Sequence, residues 1–270
     1  MTTIMSKDEA KTALITGASS GIGREFAKLF AKDGYDLIII ALPEERLREL
    51  ADSLNREYGT KSMIIPKDLS QLNSPKEIYD SVKQAGINVD VLINDAGFAV
   101  YGNFYETNYE KEVSMIQVNC IALTYLTKLF LPEMIKRGSG KILNIGSMGS
   151  IVATPLTALY CATKAYVLSM SLAIGEELKN SGVSVTCLLP GVTRTEFYKV
   201  ANMEEIKILE GRVMSAEKVA KIGYKGLMKG KRIVIPGLIN KLQSFFTHLV
   251  SRKRITQIAK SYMEVSEKKK

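Results

Sequence analysis

The amino-acid sequence predicts a single doubly wound α/β domain, with a mainly parallel sheet flanked by helices. Three observations carry this expectation. Apolar strand-like runs alternate with segments of helical periodicity along most of the chain. Several of those runs are too continuously apolar to face water on one side, as strands of a covered parallel sheet are. No linker or repeat marks a domain cut, and 270 residues with 46% hydrophobic and 24% charged content suffice for one sizeable core.

The elements follow in order. KTALITGAS reads as a strand ending in a glycine turn, and GIGREFAKLFAKDG as a helix whose Ile22, Phe26, Leu29 and Phe30 form an inward stripe. YDLIIIAL is a second buried strand, followed by the helix PEERLRELADSLNREYG, opened by proline at a permitted first-turn position. KSMIIPKDL, the helix SPKEIYDSVKQAG and the strand VDVLINDAG come next, the last ending in another glycine turn. Residues 108–137 form a long helical segment, KILNIGS a fifth strand, residues 158–181 another long helix and VSVTCLLPG a sixth strand. SAEKVAKIGYKGLMKG is a helix leading to the short strand KRIVIP. Right-handed parallel crossovers join such an alternation. The expected organisation is an extension at 1–10, the domain at 11–250, and a basic C-terminal tail at 251–270.

Charge and cysteine usage narrow the partners. The formal charge is +9, of which the stretch from Arg252 contributes +5, seven basic residues standing against Glu264 and Glu267. Basicity is thus largely a terminal property, and with no organised motif of stacking groups nucleic acid is not an expected partner. Cys120, Cys161 and Cys187 lie far apart in core-like segments and are expected as buried free thiols. No metal is expected, since the only histidine, His248, reads as a peripheral helix residue. The start carries no signal-like pattern and no uninterrupted apolar stretch reaches bilayer-spanning length, so the expected location is the cytoplasm. GLINKLQSFFTHLVSRKRITQIAKSYM gathers apolar residues beside a basic end. It fits a helix docked on its own domain or a partner subunit, or one making peripheral membrane contact.

Chemistry concentrates at two places. Tyr160 and Lys164 are one helical turn apart, and Ser147 lies thirteen residues before the tyrosine. A lysine beside a phenol favours loss of its proton, and a nearby hydroxyl can hold a substrate oxygen, which suits carbonyl/alcohol redox chemistry if a hydride donor is present. TGASSGIG, residues 16–23, places Gly17, Gly21 and Gly23 directly after the first strand. Glycines there allow close approach of a diphosphate to backbone N–H groups at a helix start, or simply a tight strand–helix turn. The second strand ends in Ala41 and Leu42, without the acid that would favour NAD. Room is left for a 2′-phosphate, with Arg24 and Arg46 as potential neighbours. Asp68, after the third strand, can hydrogen-bond an adenine edge or stand as a simple surface aspartate.

TGASSGIG, NDAG at 94–97, Asn119, Ser147, YCATK at 160–164 and PGVTRTEF together closely resemble the short-chain dehydrogenase/reductase family over roughly residues 10–235. The resemblance implies a Rossmann-type domain using NADP(H) or NAD(H), usually a homodimer or homotetramer built through long central helices. It implies that Tyr160 is the catalytic acid or base, that Lys164 lowers its pKa and contacts the cofactor, that Ser147 orients the carbonyl, and that Asn119 holds a water in the proton relay. Cofactor contacts are implied for Gly17, Ser19, Ser20, Gly21, Ile22, Gly23, Asp68, Leu69, Asn94, Ala96, Gly97, Tyr160, Lys164, Pro190, Gly191, Val192 and Thr193. The substrate pocket is expected from Phe98, Val100, Ser147, Met148, Leu156, Tyr160, Phe197 and Tyr198, under a lid at about 193–212.

Two residues depart from the family pattern. Asp95 stands where an amide is usual, and an ionised carboxylate cannot donate the same hydrogen bond. Leu42 stands where many NADP-using relatives place arginine. The reading is an NADP(H)-preferring oxidoreductase acting on a hydrophobic ketone or secondary alcohol. The alternative is a dinucleotide-binding regulatory protein with little turnover, to which Asp95 alone gives a foothold.

Overall fold

The structure, a computed structural model, describes residues 10–211, 213–247 and 249–265. Its centre is a sheet of seven parallel strands: β1 (Thr12–Thr16), β2 (Asp36–Ala41), β3 (Ser62–Pro66), β4 (Val91–Asn94), β5 (Gly140–Ile145), β6 (Val183–Leu188) and β9 (Ile233–Val234). The order is β3-β2-β1-β4-β5-β6-β9. The strand alternation splits the core into two layers. Ala13, Ile15, Leu37 and Ile39 face α1 (Gly21–Lys32), α2 (Glu44–Tyr58) and α8 (Ala216–Met228). Leu14, Ile38, Ile40 and Leu92 face the opposite layer of α3 (Ser74–Gln84), α5 (Leu123–Arg137) and α6 (Ala158–Glu177). Side chains of period two buried on both faces explain the continuous apolar runs. The doubly wound α/β reading holds.

The sequence departs from the structure in three places. The expected helix at 108–137 is α4 (Tyr109–Ile116), a π-helical turn at Gln117–Ala122, and α5. Asn108 caps its start by accepting from the Lys111 amide at 2.8 Å. The continuous helix Tyr109–Arg137, and α6, have the length and composition of a bilayer span, although no uninterrupted apolar stretch was expected. Both cover a sheet face here, and a helix lying over a core needs the same apolar content. Finally, the stretch expected as a basic tail contains α10 (Arg252–Met263), which follows α9 (Leu238–Phe246) and packs back on the domain.

The segment expected as a lid contains β7 (Thr193–Arg194) and α7 (Phe197–Val200) and is followed by β8 (Met214–Ser215), the two short strands pairing in parallel. Met263 of α10 is buried with Ala99, Ala201, Met203 and Ile206, and Tyr101 donates from Oη to its carbonyl at 2.7 Å. An antiparallel bridge joins Ile206 to Val265. The C-terminal helix is therefore a strap across the lid.

Candidate active site

Sheet order creates the site. β1 is central and pairs with β2 on one side and β4 on the other, so the connections leaving β1 and β4 diverge to opposite faces. The crevice between them widens into a cavity of about 1580 Å³. A pocket for a single drug-sized ligand runs to roughly 300–1,000 Å³. This cavity has room for a dinucleotide and a second molecule.

The glycine turn forms one end. Gly17 and Gly21 have φ of 72° and 56°, which a side chain would strain. Ser20 precedes α1 without a side-chain cap, and of the first-turn amides that of Gly23 is taken by Asp95, which leaves the Gly21 and Ile22 end of the helix as the part that favours a bound anion. Thr16 fixes this turn to the end of β4, its Oγ1 accepting from the amides of Asp95 and Ala96 at 3.0 and 3.1 Å. Gly17, Ser19, Ser20, Gly21, Ile22, Asp68, Leu69, Ala96, Gly97, Pro190, Gly191, Val192 and Thr193 all line the cavity. Gly23 does not. It is buried, and a Cβ there would meet the Gly17 carbonyl, so it serves the close packing of turn and helix. Asn94 is also held away from the cavity, its amide donating to Asn144 Oδ1 and Thr127 Oγ1 inside the sheet layer.

Asp95 lies beneath the turn and accepts a hydrogen bond from the Gly23 amide. Burial pushes its pKa up to about 7, opposed first by the charge of Lys164 and then by that hydrogen bond. Asp68 is exposed and its carboxylate is kept low by the Ser70 amide, which donates to it at 2.9 Å. At the end of β2 and β3, Leu42, Arg46 and Lys67 line the cavity. Arg24, expected as a neighbour, does not. Arg46 pairs with Glu196 of the lid at 2.6 Å and Lys67 with Glu77 at 2.7 Å.

The reactive group gathers on the other side of the crevice. Tyr160 and Lys164 project from α6, one turn apart, and Ser147 leaves the end of β5. A reciprocal cap fixes Ser147: its Oγ accepts from the Gly149 amide at 3.0 Å, while Ser150 Oγ accepts from the Ser147 amide at 3.1 Å. Ser150 Oγ in turn donates to the Lys164 carbonyl at 2.7 Å, tying this turn to α6. Lys164 is buried and donates to the Ile145 carbonyl at 2.8 Å. Burial lowers its pKa, and the nearby Asp95 carboxyl works against that.

Tyr160 keeps part of its surface open to the cavity, yet the surrounding protein pushes its pKa above the ordinary phenol value. A hydrogen bond with Ser147 opposes this rise. Lys164 was expected to lower that pKa, but its amine is turned to the Ile145 carbonyl and lies 5.9 Å from the ring centroid.

Asn119 is carried by the π-helical turn, a distortion common where helices meet functional sites. It is buried behind the cavity, accepting from the Phe98 amide at 3.2 Å and donating to the Phe98 carbonyl at 3.0 Å and to Thr163 Oγ1 at 3.1 Å. Gly97 separates it from Lys164: a Cβ there would stand 2.9 Å from Asn119 Oδ1 and 3.3 Å from Lys164 Nζ. Asn119, Gly97 and Lys164 thus form one packed unit.

Of the expected pocket residues, Phe98, Ser147, Met148, Tyr160, Phe197 and Tyr198 line the cavity. Val100 and Leu156 do not. Leu156, at φ 64°, packs instead in the cluster behind Tyr160 and Phe197. Phe197 rests on Tyr160 with ring centroids 5.4 Å apart and on Tyr198 at the same distance. Sequence reasoning missed the wall made by α9 and α10 through Leu238, Ile239, Phe246, Ile258 and Tyr262. Their amphipathic spacing was visible, but nothing local says which surface a terminal helix covers. His248 lies outside the described residues. Cys120, Cys161 and Cys187 are free and buried, as expected.

The model of the short chain dehydrogenase family matches residues 11–206, more than half of the chain. The chain belongs to the short-chain dehydrogenase family. Among relatives of this family, a very-long-chain 3-oxoacyl-CoA reductase of Phaeosphaeria nodorum is 35% identical over 70% of this chain. That match spans 56% of the relative's length, and 65% for the corresponding reductase of Pyrenophora tritici-repentis. A solved short-chain dehydrogenase from Sphingobium yanoikuyae in complex with NADPH is 32% identical, with TM-score 0.80 over 88% of this chain and 94% of that one. The bulky-bulky ketone specific alcohol dehydrogenase from Comamonas testosteroni is 30% identical, with TM-score 0.75 over 88% and 93%.

Proposed function

We propose that this chain is an NADP(H)-preferring oxidoreductase that interconverts a hydrophobic ketone and a secondary alcohol. One observation carries the reading: Ser147, Tyr160 and Lys164 open into the same cavity as the uncapped glycine turn. The turn, Gly97 and the Pro190–Thr193 segment would hold the dinucleotide, which supplies or accepts the hydride. In reduction Ser147 holds the carbonyl oxygen and Tyr160 gives it a proton; oxidation runs these steps backwards. A phenol held above its ordinary pKa keeps that proton until the oxygen develops charge. Lys164, backed by Asn119, supplies positive charge at the floor of the cavity.

NADP(H) is favoured by the absence of an acid at Ala41–Leu42 together with Arg46 and Lys67 at that end. The Sphingobium structure with NADPH supports the same choice. Relatives named for a very-long-chain 3-oxoacyl-CoA and for bulky-bulky ketones support a hydrophobic substrate, as do Phe98, Met148 and Phe197 in the cavity wall. The reading includes a cytoplasmic location. It also includes assembly as a homodimer or homotetramer through the central helices, where Tyr109, Val113, Ile121 and Tyr166 are exposed.

The test is a panel of ketones and alcohols assayed with NADPH and NADH. Tyr160→Phe is expected to lower turnover by roughly a hundredfold or more while NADPH binding, followed by its fluorescence, stays unchanged. Tight NADPH binding with no turnover on any panel member would instead support a regulatory protein.

A further inference from the structure

Helix α9 carries Leu238, Ile239, Leu242, Phe245 and Phe246, and none of its residues is buried. Leu249, Ile258 and Tyr262 continue the exposure, Leu249 at 66%. Single exposed apolar residues are ordinary, but eight large ones within 25 residues are not. The charges beside them are all of one sign. Residues 238–263 contain Lys241, Arg252, Lys253, Arg254 and Lys260 and no acidic residue. All five cations are exposed, and none forms an ion pair among the described residues.

The same two helices form one wall of the cavity. Leu238, Ile239, Phe246, Ile258 and Tyr262 are at once exposed and cavity-lining, so the apolar surface continues into the cavity mouth. Leu242, Phe245 and Leu249 point elsewhere and line no part of it. Helices of this kind, apolar and aromatic on one side with lysine and arginine beside, lie in the plane of a lipid surface.

We propose that α9 and α10 dock the protein on an anionic membrane and set the cavity mouth against the bilayer, so that an apolar substrate enters from the lipid. The entry route rests on the proposed oxidoreductase function; the docking does not. Lipid phosphates and carboxylates complement the five exposed cations. A second copy of the chain is the poorer occupant, because a two-fold contact through this patch would bring the same cations together.

Full-length protein, without cofactor or substrate, is floated with vesicles of phosphatidylcholine and with vesicles containing 30% phosphatidylserine. Docking predicts flotation that is at least tenfold stronger on the serine lipid and weakens with added salt. The variant L242S/F245S/L249S is expected to lose at least tenfold of this binding while keeping the parent's thermal unfolding midpoint. Arg252→Glu, Lys253→Glu and Arg254→Glu together are expected to abolish the preference for the anionic lipid. No flotation by the parent, or flotation unchanged by the triple serine variant, would overturn the proposal. So would a parent oligomer that the serine variant dissociates without change in vesicle recovery. Because these readouts need no turnover, their failure is separate from failure of the catalytic reading.

Discussion

At Asp95 a carboxyl group lies under the glycine turn, with the Gly23 amide as its donor and Lys164 as its nearest opposing charge. Its pKa rises from an ordinary 3.8 to about 7 because burial penalises the charged form. Between those two values the folded protein retains a proton that the unfolded chain has released. Stability therefore falls as pH rises from about 4 to about 7 and stays lowered above that. Asp95→Asn keeps an oxygen to accept from Gly23 and cannot ionise. The variant is expected to unfold several degrees higher than the parent at pH 8, by on the order of 2 kcal/mol, because removing the burial penalty on the charge outweighs the loss of a favourable neighbour for Lys164. Its pH 4–7 slope should also be flatter, and melts that run parallel to the parent's across that range would refute this account. The position was conspicuous in the sequence as a departure from an amide. That the side chain turns beneath Gly23 depends on the approach of β1 to β4, 77 to 79 residues apart along the chain, and no local pattern contains it.

Among the elements, α10 shows how far local reading reaches. Its apolar and basic residues can be seen in the sequence, where they favour a helix docked on its own domain or a partner subunit over a membrane-surface helix, but local spacing does not say which side is covered. Which side of α10 meets the domain rests on Met263, which enters a cluster made by Ala99, Ala201, Met203 and Ile206 and leaves Ile258 and Tyr262 exposed. Met263→Ala is expected to cost about 2 kcal/mol of local stability. It should speed amide exchange more than tenfold in both 252–263 and 197–211, because strap and lid share that contact. Faster exchange confined to α10 would mean that the lid stands without the strap. The π-helical turn at Gln117–Ala122 is a similar case. Helical periodicity announces the long helix, whereas the extra residue that turns Asn119 toward Phe98 and Thr163 goes with contacts to the loop after β4 and to α6.

For the whole molecule, the sheet order determines which distant groups share the cavity. It brings the ends of β2 and β3, with Arg46 and Lys67, to the same cleft as the lid residue Glu196. Their present ion pairs are solvent-exposed, and exposed pairs hold little, so both cations can turn to a 2′-phosphate. The double variant Arg46→Ala and Lys67→Ala is expected to raise the KM for NADPH roughly tenfold or more and that for NADH much less, as loss of charge-assisted phosphate contacts dictates. Equal losses for both cofactors would assign the two cations to structure alone.

By itself the sequence determined the alternation of buried strands and helices, the glycine turn and the one-turn spacing of Tyr160 and Lys164, because these depend on local spacing and on periodicities of 2 and 3.6, whereas tertiary packing brings Ser147 to Tyr160. Only the tertiary structure decided that Asn94 and Gly23 serve packing, that Asp95 is turned beneath Gly23 on the side of Lys164, and that Leu156 stands outside the cavity. It likewise decided that the terminal helices form the cavity wall. The physical reason is common to all of these. Burial and pKa belong to a side chain's surroundings, and here the surroundings come from segments far apart in the chain, brought together by the order of strands in one sheet.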